Sequence, residues 1–257
     1  MTLAEITTTQ ADGILEIAIE RPKKKNALTL AMYDALTAAL AHASSDASVR
    51  VALIRGSDGE APVFTSGNDL NDFMRAPPTG EDSPVLRFLE ALRTFEKPLV
   101  AAVAGHAIGI GTTMLLHCDL VYAAEGARFQ LPFVNLALVP EAASSFLLPR
   151  MVGHARAAEL LFFGEPFDAA AAERFGIVNA VFAGGALLVE ARRRAAILAA
   201  KAPLALRQTK RLMKQPLAEE TRAHMRAEGA VFVERLASPE LAEAIGAFFE
   251  KRPPKFG

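Results

Sequence analysis

The sequence predicts an α/β domain of repeated strand–turn–helix units followed by a helical C-terminal region. Three observations carry this expectation. Apolar and polar residues alternate strictly over Gly13–Glu20, the pattern of a half-buried strand. Short apolar runs at Val51–Ile54, Leu99–Val103 and Leu120–Ala124 lie beside turn residues and stretches of helical spacing. From Gly184 onward the pattern is helical throughout, with proline stops at Pro203, Pro216 and Pro239.

Within Gly13–Glu20, Leu15, Ile17 and Ile19 share one face, and Glu16, Ala18 and Glu20 the other. Arg21-Pro22 ends the strand because proline cannot continue a ladder, and the basic run Lys23-Lys24-Lys25 follows in a loop. Thr29 is placed to cap a helix whose Leu30, Tyr33, Leu36 and Leu40 recur at helical spacing, closed by Ser44-Ser45-Asp46. Val51–Ile54 reads as a buried strand ending at Gly56-Ser57-Asp58-Gly59. Pro62-Val63-Phe64 runs into the polar turn Thr65-Ser66-Gly67-Asn68-Asp69, and Ala76–Asp82 reads as a mobile loop before a helix over Ser83–Phe95. The strand Leu99–Val103 leads to a glycine-rich turn, Gly105–Gly111, then a helix, Thr112–His117, and the strand Leu120–Ala124. Helical pieces at Arg156–Phe163 and Asp168–Phe175 precede a strand over Ile177–Phe182. A change of composition near residue 184 separates a core, 1–183, from a helical region, 184–257. No linker divides them, so one structural unit is expected.

A chain of 257 residues that is 51% hydrophobic can bury a real core, which excludes a disordered tail. Its 28 Lys+Arg against 29 Asp+Glu leave no basic excess, so no nucleic-acid partner is expected. The longest apolar stretch, Leu99–Leu116, is interrupted by glycines, threonines and His106. A spanning helix needs roughly 20 mostly apolar residues, so no membrane partner is expected either. Cys118, the one cysteine, has no internal disulfide partner. The opening residues lack a secretory pattern and Lys255-Phe256-Gly257 is not a peroxisomal tripeptide, so a cytoplasmic protein is expected. His42, His106, His117, His154 and His224 show no metal-ligand spacing, and Ser66 lacks the upstream glycine of a hydrolase elbow. Neither a metal nor a separate cofactor is expected.

Three places could carry chemistry. A strand that ends in a glycine turn and opens a helix leaves N–H groups pointing outward, and two such turns facing each other would form an oxyanion hole. Thr65–Asp69 and Gly105–Gly111 are the candidates, although either alone needs its glycines only to bend the chain. The spacing G-x-x-x-G-x-G matches neither a dinucleotide fingerprint nor a phosphate loop. The third place is Pro140-Glu141. Proline then glutamate suits the first turn of a helix, but Glu141 is also the sole carboxylate between Glu125 and Glu159. Apolar surroundings raise a carboxyl pKa, which suits a base at neutral pH.

Phe64-Thr65-Ser66-Gly67-Asn68-Asp69-Leu70 and Lys97–Gly111 resemble the two signatures of the enoyl-CoA hydratase/isomerase (crotonase) family. Cys118–Ala124 and Ala172–Val178 extend the resemblance over nearly the whole chain. It implies a spiral of ββα units with a helical C-terminal region, assembled as trimers or dimers of trimers, and a coenzyme A thioester as substrate. It also implies that the oxyanion N–H groups belong to Asn68 and Ile110. Thr65, Ser66, Gly67, Asp69, Leu70 and Gly109 should then surround the thioester, with Lys24, Lys25, Asn26 and Ala27 beside the coenzyme. The hydratases of the family use two glutamates, at positions that here hold Thr113 and Phe133. Neither can titrate. The segment Pro140-Glu141-Ala142-Ala143-Ser144-Ser145 instead resembles that of the peroxisomal-type Δ3,Δ2-enoyl-CoA isomerases, whose base is its glutamate. The resemblance thus implies an isomerase of fatty-acid breakdown with Glu141 as the base. The alternatives are a hydratase and a silent acyl-CoA-binding member; Asp69 and Asp72 are the fallback bases.

Overall fold

The computed structural model describes residues 5–59, 61–75, 80 and 82–256. Ile6–Ala11 (β1) and Ile14–Ile19 (β2) pair antiparallel across Asp12-Gly13, both at positive φ (51° and 78°), as a two-residue hairpin turn requires. Thr29 caps Leu30–Ser45 (α1) by accepting the Met32 N–H at 3.3 Å. Val51–Arg55 (β3) follows, then Leu70–Arg75 (α2) and Pro84–Thr94 (α3), the latter capped by Ser83. The expected loop at Ala76–Asp82 lies mostly outside the described residues.

Leu99–Val103 (β4) enters the main sheet, and the chain then crosses to a second, smaller sheet as His106–Ile108 (β5). The glycine-rich turn of the sequence therefore contains a strand. Ile110–Thr113 (α4) continues as a 3-10 turn over Met114–His117. Leu120–Ala124 (β6) and Arg128–Gln130 (β7) repeat the alternation between sheets. Ser144–Val152 (α5) and His154–Phe163 (α6) precede Phe167–Asp168 (β8), Ala169–Arg174 (α7) and Ala180–Phe182 (β9). The last strand is shorter than expected because Ile177 and Val178 still belong to the turn that closes α7, both donating to Ala172 O. The main sheet runs β1-β2-β3-β4-β6-β9, parallel after β2, and the small one β5-β7-β8.

The tail comprises Leu187–Ala199 (α8), Pro203–Lys214 (α9), Ala218–Leu236 (α10) and Pro239–Glu250 (α11). Pro203 and Pro239 open helices rather than stop them, because a first-turn N–H has no intrahelical partner to lose. α8 crosses the main sheet with Leu187, Ala191 and Ala195 against Val51, Leu53, Val100 and Ala102. Ala52, Ile54, Ala101 and Val103 face the other way, toward α1 and α3. Both faces are covered, which explains continuous apolar runs in β3 and β4. The same cover corrects the half-buried reading of β2: Glu16 and Ala18 are buried too. Glu16 tolerates this because Arg55 and Arg192 bond its carboxylate at 2.6 and 2.8 Å. α9 is pinned to β4 by Lys210, whose Nζ donates to Lys97 O and Asp119 Oδ2, both at 2.7 Å. Among the described residues no helix is long and apolar enough to cross a membrane.

Candidate active site

The two glycine turns meet because Phe64–Thr65 acts as a rudimentary edge strand of the small sheet. Thr65 N–H donates to His106 O at 2.9 Å, and Ile108 N–H donates to Thr65 O at 3.0 Å. Gly67 follows at φ +91°, where a Cβ would lie 3.0 Å from Ile108 O. The turn thus needs glycine for conformation and for close approach. Its neighbour Asn68 and the first residue of α4, Ile110, have backbone N–H groups that meet no acceptor among the described residues. Both residues line a cavity of about 630 Å³ together with Ser66, Pro132, Phe133 and Lys25. Gly67, Gly109 and Leu70 line it as well. Tyr33, fully buried, donates to Asn68 Oδ1 at 2.5 Å and fixes that side chain.

Glu141 lies in a second, much smaller hollow with Leu89 and Met225. Phe73 of α2 and Phe232 of α10 line both spaces, edge to face with centroids 6.1 Å apart. Glu141 is only 7% exposed, and Thr113 Oγ1 donates to its Oε1 at 2.7 Å. Among the described residues no donor meets Oε2. Burial raises the carboxyl, the Thr113 hydrogen bond opposes this, and the Glu228 charge adds to it; the result is about 7. A carboxylate poised there exchanges a proton readily at neutral pH.

The helix reading of Pro140-Glu141 is corrected. α5 starts at Ser144, because Ala142 and Ala143 stand in the left-handed region at φ 61° and 55°. Non-glycine residues there cost on the order of 1–3 kcal/mol each and persist only where the surroundings hold them. Ala143 has no polar side chain to cap α5, so Glu228 of α10 does it from outside, accepting the Ser145 N–H at 2.8 Å and the Ser145 hydroxyl at 2.5 Å. On the other side His117 meets Ala142 O at 2.8 Å.

The remaining expected residues divide. Lys25 reaches the large cavity, whereas Lys24 and Asp69 line a separate hollow with Arg21 and Asp72. Asn26 does not reach a ligand space. It is fully buried, and its Nδ2 donates to Ile19 O at 2.9 Å, Val63 O at 2.8 Å and Phe64 O at 3.1 Å. Thr65 is buried likewise, with Oγ1 donating to Asn26 O at 2.7 Å, and the Ala27 carbonyl accepts from Arg21. The fallback bases are structural. Burial would raise Asp69, but the Arg21 hydrogen bond at 2.7 Å holds it below its ordinary value, while Asp72 accepts Leu30 N–H. Cys118 packs on the core with its thiol pushed up to about 12 by burial. Sequence reasoning missed Tyr33, His117, Phe73, Glu228 and Phe232. Tyr33 carried one signal, a phenol on the apolar face of a helix, which needs a buried partner.

The sequence model described as Enoyl-CoA hydratase/isomerase matches residues 9–257. The chain belongs to the enoyl-CoA hydratase/isomerase family. It is 37% identical over 254 residues to enoyl-CoA delta isomerase 2 of Rattus norvegicus, covering 96% of this chain but 64% of that protein's length. It is 34% identical to the 2,3-dehydroadipyl-CoA hydratase of Escherichia coli (strain K12), covering 99% of each. A crystal structure of an enoyl-CoA hydratase/isomerase from Pseudoalteromonas atlantica T6c superposes with a TM-score of 0.94 at 43% identity, over 98% of this chain and all of that one. Pseudomonas aeruginosa OdaA gives 0.92 at 49%, over 96% and 99%. The fold is the crotonase fold of this family, whose members act on acyl-CoA thioesters; relatives named isomerase and hydratase stand at similar identity.

Proposed function

We propose that this chain is a Δ3,Δ2-enoyl-CoA isomerase with Glu141 as its single base. The observation that carries the reading is one poised carboxylate, Glu141 at about 7, bonded by the non-titrating Thr113, while the other hydratase position, the equally non-titrating Phe133, lines the large cavity. The thioester oxygen accepts from the N–H groups of Asn68 and Ile110. Glu141 Oε2 takes a proton from C2, and the electron pair of that C–H bond moves into a dienolate whose charge rests on the thioester oxygen. The same carboxyl then returns the proton to C4, so the double bond moves from C3 to C2 with nothing gained or lost. One oxyanion donor is typically worth about 2.7–4 kcal/mol. Lys25 stands at the cavity for a coenzyme phosphate. The exposed Leu204, Leu212 and Met213 of α9 suit a contact between copies, in keeping with a trimer or a dimer of trimers.

The test is a pair of assays on one preparation, one supplying 3-enoyl-CoA and following conjugation, the other supplying 2-enoyl-CoA and following water addition. Conjugation without comparable hydration supports the isomerase. Hydration as the dominant activity overturns it.

A further inference from the structure

The turn that carries Glu141 is strained, with Ala142 and Ala143 both left-handed at φ 61° and 55°. Such a turn stays put only where something holds it. Glu228 grips its far end, through the backbone N–H groups of Ala143 and Ser145. The turn closes on itself through Ser144 N–H, which donates to Glu141 O at 3.0 Å, and the side chain that holds it nearest Glu141 is His117, whose ring meets the carbonyl of Ala142. His117 ends the 3-10 turn after α4, is 3% exposed, and its own carbonyl accepts from Lys214 Nζ at 2.8 Å. An accepting carbonyl places the ring proton on Nε2. Burial pushes the imidazolium down to about 4, so the ring is neutral and remains a donor across the neutral pH range. The same short segment supplies Thr113, which holds the Glu141 carboxyl itself. Backbone and side chain of the base are therefore referenced to one element, which also supplies the Ile110 N–H.

We propose that His117 is a positioning residue for the base: its hydrogen bond to Ala142 O holds the left-handed turn that aims the Glu141 carboxyl at the substrate carbons. This rests on the reading of Glu141 as the base. Without the bond the turn relaxes toward ordinary φ and the carboxyl moves off line, while the coenzyme and thioester contacts, made by other segments, stay as they are.

The experiment measures steady-state turnover of a 3-enoyl-CoA by the wild type, His117→Phe, His117→Gln, and His117→Phe combined with Ala142→Gly. Glu141→Gln is run in parallel. His117→Phe should lower kcat by about 10- to 100-fold, the scale of a small misplacement of a reacting group. Its KM should stay within about twofold. His117→Gln, whose amide N–H can reach the same carbonyl, should recover most of the loss. Ala142→Gly should recover part of it, because glycine enters the left-handed region without being held. Equal losses in the Phe and Gln variants, or a normal kcat in His117→Phe, would overturn the proposal. If His117→Phe does not fold, the Gln variant is compared with His117→Asn, whose amide is too short to reach; equal kcat in those two overturns it in the same way. Normal turnover by Glu141→Gln defeats the base assignment itself. An inactive Glu141→Gln beside a normal His117→Phe defeats only the role of His117.

Discussion

Thr113 donates its hydroxyl hydrogen to Glu141 Oε1 at 2.7 Å. On the proposed reading, the position where the resemblance implies a hydratase glutamate here supports Glu141 instead of sharing its work. A hydroxyl donor favours the ionised carboxylate, and so it restrains a group that burial pushes the other way.

Thr113→Val keeps the shape and removes that restraint. The Glu141 carboxyl should rise further above neutrality, and the acid limb of the kcat/KM profile should move up by about one pH unit. Turnover should fall at pH 7 and recover at pH 9. A profile identical to the wild type's would show that the hydrogen bond does not tune the base.

Glu141→Gln preserves size and the bond from Thr113 but cannot take a proton. Isomerisation should drop by about 10²–10⁴-fold at saturating substrate. Binding of a saturated acyl-CoA, measured by calorimetry, should stay near normal.

The same variant should be more stable than the wild type in alkaline solution. The folded protein holds the Glu141 proton up to about pH 7, whereas the unfolded chain releases it near the ordinary 4.5. Across that window the folded state binds more protons, so wild-type stability falls as pH rises. By pH 8 the accumulated penalty is roughly 3 kcal/mol, and glutamine avoids it. Denaturant melts of both proteins at pH 5 and pH 8 check this: the gap should widen by more than about 2 kcal/mol from the lower pH to the higher.

Lys25→Ala should weaken acyl-CoA binding and flatten its salt dependence, since phosphate contacts are screened by ions. Lys24→Ala should do neither, because Lys24 lines the other hollow. Titrations at low and high ionic strength separate the two lysines.

Asn26→Ala removes the donor shared by Ile19 O, Val63 O and Phe64 O and should cost about 3 kcal/mol of stability. The KM of the folded enzyme should not change. An altered KM with an unchanged melting temperature would return Asn26 to the coenzyme.

The parts of the fold visible in the chain were those with covered faces. β3, β4 and β6 read as apolar runs because helices bury both sides or a sheet neighbour completes them, and α1 announced itself through its Thr29 cap. β1 did not, since its burial follows no alternation: Thr7 to Ala11 are exposed on both faces of an edge strand. Its one clear sign was Asp12-Gly13, a hairpin turn whose residue types are legible without any periodicity. At the site, Glu141 stood out as an isolated carboxylate in an apolar stretch. The groups around it did not, because Tyr33, His117 and Glu228 come from three distant segments and meet only in space.

The pairing of Phe73 with Phe232 has a consequence for when the protein becomes active during its synthesis. Glu141 owes its altered acidity to dryness, and Met225 and Phe232, two of the side chains that keep it dry, arrive on α10, more than 80 residues after it. A nascent chain that holds both sheets but not yet α10 lacks those two side chains over Glu141. On the reading of Glu141 as the base, chemical competence is therefore acquired only once α10 has been made and seals the pocket.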